Sequence, residues 1–276
     1  MKIDLHLHSC YSGDGIHSVD RLTSLFSTGD VIALTDHETI AGWEDFEISC
    51  KQRNLRPIYG VEWFTSPYHI ISYFPCKKVS KQFNSFIIDR RFKEGITMKA
   101  LALQIKKDDD HFSSYDDLIK MKPHPENILG MTVTGCKLKK LKNISFKEAI
   151  SILRNRKHEI PECPETFYTE DLISKMSNWG ALNILAHPFR NVKSGQINYF
   201  EFANKIKAFK DAGLNGVELH PFQDEWNKHI IEICKRFDLI WTIGSDYHHY
   251  KEGIYPKKLP ELNGSITSGL SKLHLI

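Results

Sequence analysis

Two histidines near the start of the chain have the spacing of metal ligands on a β-strand. His6 and His8 lie in a segment, Lys2 to His8, in which apolar and polar side chains alternate. Residues two apart on a strand point to the same face, so both imidazoles could bind a single metal ion. Two solvent-facing histidines without a function would show the same spacing, so the other candidate ligands decide between the two interpretations.

Further histidines and carboxylates stand where short apolar segments end. They are His37, Glu62, His187, Asp246 and His248. In an α/β barrel the carboxyl ends of the strands meet at one rim, so these side chains would converge there. Unrelated surface and core residues would rarely fall at so many strand ends by chance. The pattern therefore predicts a metal centre at the rim.

The types of these side chains indicate which ions the centre would hold. Imidazoles and carboxylates without thiolates suit Mn²⁺, Fe²⁺ or Zn²⁺. Asp14, Glu62 and Asp246 would repel one another strongly if they clustered without a cation between them. We therefore expect more than one divalent metal ion as cofactor.

Seven short segments have the composition of β-strands and would position these ligands. They are Lys2 to His8, Val31 to Leu34, Pro57 to Phe64, His69 to Phe74, Leu182 to His187, Gly216 to His220 and Leu239 to Gly244. Helical patterns between them run from Ile40 to Cys50, from Asn198 to Ala212 and from Trp226 to Phe237. Strands that alternate with helices over most of a chain predict an α/β fold with a parallel sheet or barrel.

The middle of the chain interrupts this alternation. Residues 77–178 are rich in lysine, aspartate and helix-forming residues, and Ser145 with Glu148 forms a capping-box signal. We predict a mainly helical insertion over these residues, which caps one face of a barrel built from residues 1–76 and 179–276. A second domain joined by linkers is the alternative.

The composition excludes several classes of protein. With 41% hydrophobic residues among 276, and 37 basic against 34 acidic side chains, the chain can bury a core and is neither disordered nor strongly basic. No apolar stretch approaches the ~20 residues that span a bilayer, and charges interrupt the N-terminal segment. We expect a cytoplasmic protein with no membrane contact. Its six scattered cysteines include no C-x-x-C pair and are expected to be reduced.

Five motifs in register resemble those of the polymerase-and-histidinol-phosphatase (PHP) family. They are Asp4-Leu5-His6-Leu7-His8-Ser9, Ala33-Leu34-Thr35-Asp36-His37, Gly60-Val61-Glu62, Ala186-His187-Pro188 and Gly244-Ser245-Asp246-Tyr247-His248. The resemblance implies a distorted seven-stranded (β/α)7 TIM-like barrel of the α/β class. It also implies two or three divalent metal ions, Mn²⁺, Fe²⁺ or Zn²⁺, at the carboxyl rim.

The resemblance also implies which side chains bind each ion. The first metal would be held by His6, His8, Glu62 and Asp246. Glu62 would bridge to a second metal, which His69 would also bind. A third metal would be surrounded by Asp14, His37, His187 and His248.

The sequence departs from the family pattern at two points. Asp14 follows His8 by six residues where the family usually has five. Some members supply a further histidine to the second metal, and none of His111, His124 and His158 matches it convincingly.

Such a centre is suited to the hydrolysis of phosphate esters. Metal ions lower the pKa of a bound water, which supplies a hydroxide nucleophile, and they neutralise the phosphoryl oxygens. Arg190 is the candidate for holding a substrate phosphate, because a guanidinium matches that geometry. His220 could protonate the leaving oxygen or bind phosphate, and Asp36 could support a ligand or shuttle protons. An exposed arginine and a structural histidine are the alternatives for Arg190 and His220.

Four functions fit these motifs to different degrees. The resemblance is greatest to the family branch that acts on nucleoside 3′,5′-bisphosphates and on the 5′ ends of short oligonucleotides, which implies a nucleotide or another small phosphorylated substrate. A histidinol phosphate phosphatase is the close alternative. An amidohydrolase would usually need a bridging lysine or glutamate on the fourth strand, and a non-catalytic PHP module often lacks ligands that are present here. The sequence gives no basis for predicting a protein partner.

Overall fold

The computed structural model describes residues 1–121, 129–190 and 199–248. Its core is a mixed sheet whose seven strands follow the order β1-β2-β3-β4-β6-β7-β8. The bounds are β1 Ile3–Leu7, β2 Val31–Leu34, β3 Arg56–Ser66, β4 His69–Phe74, β6 Leu182–Ala186, β7 Leu214–Leu219 and β8 Ile240–Ile243. A further short strand, β5 (Phe167–Tyr168), pairs with the end of β3.

The sheet nearly closes into a barrel where its first strand meets the segment after its last. The backbone N–H of Asp246 donates to the carbonyl of His6 at 2.9 Å, and that of His8 donates to the carbonyl of Tyr247 at 3.1 Å. These hydrogen bonds bring two of the predicted ligand-bearing segments side by side. The predicted α/β barrel of seven strands is confirmed.

One strand runs against the expected parallel direction. β4 pairs antiparallel with both β3 and β6, whereas the other neighbouring strands of the sheet are parallel. Only two residues separate β3 from β4, which is too short for the crossover that a parallel neighbour requires. His69 opens β4 opposite Phe64, near the end of β3, so it still lies at the rim where the parallel strands end.

Nine helices occur among the described residues. They are α1 Val19–Thr23, α2 Trp43–Arg53, α3 Lys81–Asp108, α4 Tyr115–Met121, α5 Met131–Lys142, α6 Phe146–Lys157, α7 Thr169–Asn178, α8 Tyr199–Ala212 and α9 Asp224–Arg236. The three predicted helical patterns correspond to α2, α8 and α9, although Asn198 lies outside the described residues. Gly213, with φ at 109°, follows α8 directly. No helix in the described ranges has the length and apolarity needed to cross a membrane.

Two apolar clusters hold the barrel together. The inner cluster takes side chains from six strands, among them Leu5, Ile58 and Ile71. The outer cluster lies between the sheet and its surrounding helices and contains Leu7 and Trp63. The sequence predicted that Leu5 and Leu7 would share a face, and this was wrong. The pairing of β1 with β2 shifts register between Asp4 and Leu7, which separates the two leucines.

The helices between β4 and β5 have an apolar cluster of their own. Met98, Leu118, Val133 and Leu153 from α3 to α6 belong to it. The division of the chain into a barrel and an insertion over residues 77–178 stays a prediction, and we call α3 to α6 the helical segment.

Two hydrogen bonds and one close backbone contact join the helical segment to loops at the barrel rim. Arg90 of α3 donates to Glu38 Oε1 at 2.6 Å, and Arg91 donates to the carbonyl of Tyr11 at 2.9 Å. Gly130, just before α5, approaches Gly13 so closely that a Cβ on Gly130 would lie 1.9 Å from the Gly13 carbonyl oxygen.

Candidate metal centre

Three clusters of histidines and carboxylates lie at the barrel rim, and within each cluster the potential ligand atoms are within 4.8 Å of one another. Cluster A contains His6, His8, Glu62 and Asp246. Cluster B contains Glu62, His69 and His187. Cluster C contains His8, Asp14, His37 and His248. All nine side chains that the sequence singled out as metal ligands therefore occur in these clusters.

Glu62 belongs to both cluster A and cluster B and is fully buried. Its Oε2 lies 3.0 Å from Nε2 of His6 and from Nε2 of His8. Its Oε1 lies 2.9 Å from Nε2 of His187 and 3.0 Å from Nδ1 of His69. One carboxylate therefore presents each oxygen to a different cluster, as a ligand that bridges two ions would.

Cluster C forms around the loop that follows β1. Asp14 places Oδ2 3.4 Å from Nε2 of His37 and Oδ1 3.3 Å from Nε2 of His248. The ring of His248 stacks on His8 with centroids 3.9 Å apart. The additional residue before Asp14, compared with the family pattern, does not remove this carboxylate from the rim.

Hydrogen bonds and close packing fix this loop. Ser12 Oγ accepts from the backbone N–H of His37 at 3.0 Å and lies 3.1 Å from Nδ1 of His8. A Cβ on Gly15 would lie 2.1 Å from the carbonyl oxygen of Ser9, so this position requires glycine. The loop thus holds His8 and His37 in a defined relation to each other.

Two ligand candidates have unusual backbone conformations. His187 has φ at 28° and Asp246 has φ at 53°, a region that residues other than glycine seldom adopt. Such conformations persist where the surrounding structure enforces them, and they concentrate at functional sites. Each residue directly follows or lies near the end of a strand, and its side chain belongs to a cluster at the rim.

Burial and neighbouring charges act in opposite directions on the carboxylates. Burial disfavours the charged form of Glu62, but the imidazoles of His6 and His37 outweigh it and hold the pKa of Glu62 well below its usual value. Burial also opposes ionisation of Asp246, yet Arg190 and His6 hold the pKa of Asp246 well below its usual value. Both carboxylates are therefore ionised and able to bind cations.

Two imidazoles of the centre differ in their charge. Burial, assisted by Arg190, lowers the pKa of His187 to about 3, so this ring is neutral. Burial opposes protonation of His6 as well, but Glu218 and Glu62 overcome it and raise the pKa of His6 well above its usual value. A metal ion that binds His6 has to displace this proton.

The side chains present fit divalent metal ions. Two buried nitrogens, Nε2 of His8 and Nδ1 of His37, have no hydrogen-bond partner within the described residues, although both lie near Oε2 of Glu62, at 3.0 and 3.2 Å. Buried polar atoms are rarely left in this state unless another group completes the site. The donor set is nitrogen and oxygen only, which suits Mn²⁺, Fe²⁺ or Zn²⁺.

The structure groups His187 differently from the family resemblance. The resemblance placed it beside a third metal with Asp14, whereas its Nε2 lies 2.9 Å from Glu62 Oε1 in cluster B. Its ring centroid is 5.0 Å from that of His69. His187 therefore adds an imidazole to cluster B, for which the middle of the chain offered no convincing histidine.

Three further candidates lie outside the clusters. Asp36 accepts from the backbone N–H and the hydroxyl of Ser9, both at 2.7 Å, so it supports the loop after β1. Burial raises its pKa. Arg190 is 45% exposed and donates to Oδ2 of Asp246, a member of cluster A. Nδ1 of His220 accepts from the backbone N–H of Phe222 at 3.1 Å, a contact typical of a structural histidine.

Sequence reasoning missed Glu218. This carboxylate lies in β7 and is 2% exposed. Oε1 is 3.0 Å from Nδ1 of His6, and Oε2 accepts from the backbone N–H of His187 at 2.8 Å. A charged residue between Val217 and Leu219 in a buried strand was the signal that could have revealed it.

Comparisons with known proteins agree with this fold. A 5′-3′ exoribonuclease of Haemophilus influenzae is 26% identical over 267 residues, which cover 90% of each chain. Two solved structures have a TM-score of 0.71 at 20% identity and cover 99% of this chain. One is a Bifidobacterium adolescentis protein assigned as a metal-dependent phosphoesterase, of which 94% is covered. The other is an amidohydrolase from Chromobacterium violaceum, of which 96% is covered.

A family model gives the assignment. At 20% identity the two structures show a shared fold and no more. The model described as PHP domain matches residues 4–160, which is more than half of the chain. The matched range contains the members of the three clusters from His6 to His69. The chain therefore belongs to the PHP domain family.

Proposed function

We propose that this protein is a metal-dependent phosphoesterase that hydrolyses phosphomonoesters on nucleotides. Membership of the PHP domain family supports hydrolase activity. The observation that carries the proposal is the sharing of ligands: Glu62 joins clusters A and B, and His8 joins clusters A and C. Adjacent cations that share ligands are the arrangement that phosphoryl transfer uses.

Different residues of the chain would have different roles in such a reaction. Divalent ions, when bound, lower the pKa of water toward neutrality and neutralise charge on the phosphoryl oxygens. The three clusters would hold the ions, and Glu62, with one oxygen toward cluster A and the other toward cluster B, would serve two of these sites. Arg190, half-exposed beside Asp246, is placed to bind a phosphate oxygen. His220 and Asp36 are weaker candidates for a direct role in the reaction, because both already have structural hydrogen bonds.

Two observations support a nucleotide as the substrate. The Haemophilus influenzae relative is named a 5′-3′ exoribonuclease, and it matches this chain over 90% of its length. Phe64 is 43% exposed at the end of β3, and its ring stacks on His37 with centroids 4.3 Å apart. An exposed aromatic ring beside a phosphate site is able to stack on a nucleobase.

We further propose that the helical segment caps the site and selects the substrate. Arg91 of α3 donates to the carbonyl of Tyr11, in the loop that carries Asp14. Gly130 touches Gly13 in the same loop. These contacts support a cap that lies over cluster C.

The test is a comparison of catalytic efficiency after reconstitution with Mn²⁺. We expect 3′,5′-bisphosphonucleosides or short 5′-phosphorylated RNA to release phosphate with a higher kcat/KM than histidinol phosphate. The His8→Ala variant, loaded in the same way, should be inactive because two clusters lose a ligand. Turnover of a lactam or amide, with no release of phosphate from any ester, would overturn the proposal. A preference for histidinol phosphate would overturn its nucleotide part.

A further inference from the structure

Glu218 is a buried carboxylate that touches the metal centre without belonging to any of its clusters. We infer that it is a positioning residue, which fixes the tautomer and orientation of His6 so that Nε2 is the atom that binds metal. The inference rests on the metal centre proposed above. It concerns a residue outside the five motifs quoted above.

The two oxygens of Glu218 have two different donors. Oε1 and Oε2 lie 3.0 and 3.2 Å from Nδ1 of His6. Oε2 also accepts from the backbone N–H of His187 at 2.8 Å. One side chain on β7 therefore links the end of β1, which carries a cluster A ligand, with the end of β6, which carries a cluster B ligand.

The chemistry of the carboxylate determines which nitrogen of His6 carries the proton. A carboxylate only accepts hydrogen bonds, so Nδ1 holds a hydrogen toward Glu218, and the hydrogen on Nε2, which faces Glu62, is the one that a metal ion displaces. The lone pair of Nε2 then faces cluster A, where Nε2 lies 3.0 Å from Glu62 Oε2 and 3.5 Å from Asp246 Oδ1. Carboxylate partners of this kind orient metal-binding imidazoles and increase their basicity.

A neighbouring glycine leaves the space that this contact needs. A Cβ on Gly244 would lie 2.2 Å from Cβ of His6 and 2.7 Å from Oε1 of Glu218. Any larger residue would push the two side chains apart. The glycine that precedes Ser245 and Asp246 is thus explained by the packing of Glu218 on His6.

Glutamine cannot replace this carboxylate without a conflict. Both oxygens of Glu218 lie within 3.2 Å of Nδ1 of His6, so the NH₂ group of a glutamine faces Nδ1 in either orientation of the amide. If the oxygen serves His187, the NH₂ group faces Nδ1 and moves the ring hydrogen to Nε2, the metal-binding atom. If the oxygen serves His6, two donors oppose each other at His187.

The experiment is Glu218→Gln with three measurements on the full chain. At saturating Zn²⁺, ¹⁵N NMR of the histidine rings shows whether Nδ1 of His6 carries the remaining ring hydrogen, assigned with a His6→Asn sample. Calorimetric titration with Mn²⁺ gives the affinity, and thermal unfolding of the metal-free protein gives Tm. We expect loss of the Nδ1–H tautomer and a roughly 10–100-fold weaker affinity for Mn²⁺.

Asp4→Asn is the matched control for loss of a buried carboxylate. Its Oδ1 accepts from the backbone N–H groups of His6 at 3.3 Å and Ser245 at 2.9 Å. An asparagine oxygen can accept both, so the tautomer of His6 and the affinity for Mn²⁺ should stay near those of the wild type.

The outcomes separate this inference from the proposed function. An unchanged His6 tautomer in Glu218→Gln overturns the inference, whether or not Tm falls, because a merely structural role would lower Tm alone. An unchanged tautomer together with wild-type affinity overturns it equally. Wild-type protein that binds neither Mn²⁺ nor Zn²⁺ overturns the metal centre and the inference with it, whereas wild-type protein that binds metal beside a Glu218→Gln variant with an unchanged tautomer overturns the inference alone.

Discussion

The two oxygens of Glu62 face different clusters, whereas Asp14 serves cluster C alone. This difference predicts unequal effects of removing each charge. Glu62→Gln should lose ions from clusters A and B. Its kcat/KM should fall by more than roughly 100-fold, because even the loss of a residue that only hydrogen-bonds to a metal ligand can reduce activity by that factor. Asp14→Asn should lose one ion. Metal content per chain after dialysis, measured by mass spectrometry, checks the difference.

Glu47→Gln is a suitable control for both variants, because it removes a half-exposed carboxylate on α2 that pairs with Lys77. It should retain the metal content of the wild type. Equal losses of metal in Glu62→Gln and Asp14→Asn would show that Glu62 does not bridge two sites.

The identity of the ligand candidates could be predicted from the sequence, but their grouping could not. Strand ends and family motifs indicated all nine side chains that occur in the three clusters. The position of His187 depends on a backbone φ of 28°, which no local pattern indicates. Glu218 acts through a contact with His6 across 212 residues, and such a pairing requires the closed barrel.

Strand directions could be predicted only in part. The apolar segments located the strands, and the alternation with helices correctly predicted parallel neighbours at β1, β2 and β3. The four residues between the predicted segments that end at Phe64 and begin at His69 were a signal for an antiparallel hairpin, which the overall alternation obscured. The register shift in β1 has no counterpart in the sequence pattern, because apolar residues alternate there without interruption.

The close approach of Gly130 to Gly13 allows a test of how the helical segment supports the rim. Gly130 has φ at −87°, which alanine also adopts, so any effect of Gly130→Ala comes from the clash with the Gly13 carbonyl. Because both partners are backbone, they have to separate. We expect a loss of stability of about 1–3 kcal/mol, seen as a lower Tm, and weaker binding of metal at cluster C.

Thr132→Ala, two residues further along in α5, is the control and should change neither measurement appreciably. A Gly130→Ala protein with wild-type Tm and metal content would show that the loop of Asp14 does not depend on this contact.

The attachment of the helical segment to the barrel involves a buried ion pair. The side chains of Arg90 and Glu38 are 8% and 10% exposed, and Arg90 also donates to the carbonyl of Glu165 at 2.9 Å. Removing one partner leaves the other charge buried, so Glu38→Ala should lower the free energy of unfolding by about 3 kcal/mol. Denaturant unfolding measures this loss.

A double-mutant cycle separates the pair from its parts. The double variant Arg90→Met with Glu38→Met leaves no unpaired charge. Its loss in the free energy of unfolding should be clearly smaller than the sum of the losses in Arg90→Met and in Glu38→Met alone. Additive losses would mean that the two side chains do not stabilise each other.

The chain as a whole should have thiols of very different reactivity. No disulfide joins the six cysteines. Burial raises the pKa of Cys50 and of Cys234 to about 12, so both stay protonated at pH 8, whereas Cys76 is exposed. Ellman's reagent at pH 8 should modify Cys76 within minutes in the native protein. Cys50 and Cys234 should react only after unfolding in denaturant.

Cys76→Ser is the control for this experiment and should abolish the fast phase. Rapid reaction of Cys50 or Cys234 without denaturant would indicate that the barrel opens far more readily than its packing suggests.

The contact between Gly13 and Gly130 also bears on how this molecule can be recombined. A helical segment from another protein that has any residue other than glycine at the place of Gly130 would bring a Cβ against the loop that carries Asp14. Such chimeras, in which the segment alone is exchanged, should therefore bind metal weakly at cluster C. Exchange of the segment together with residues 9–15 keeps the contact between the segment and this loop intact. The segment and the loop therefore have to be exchanged together, although 116 residues separate the two glycines.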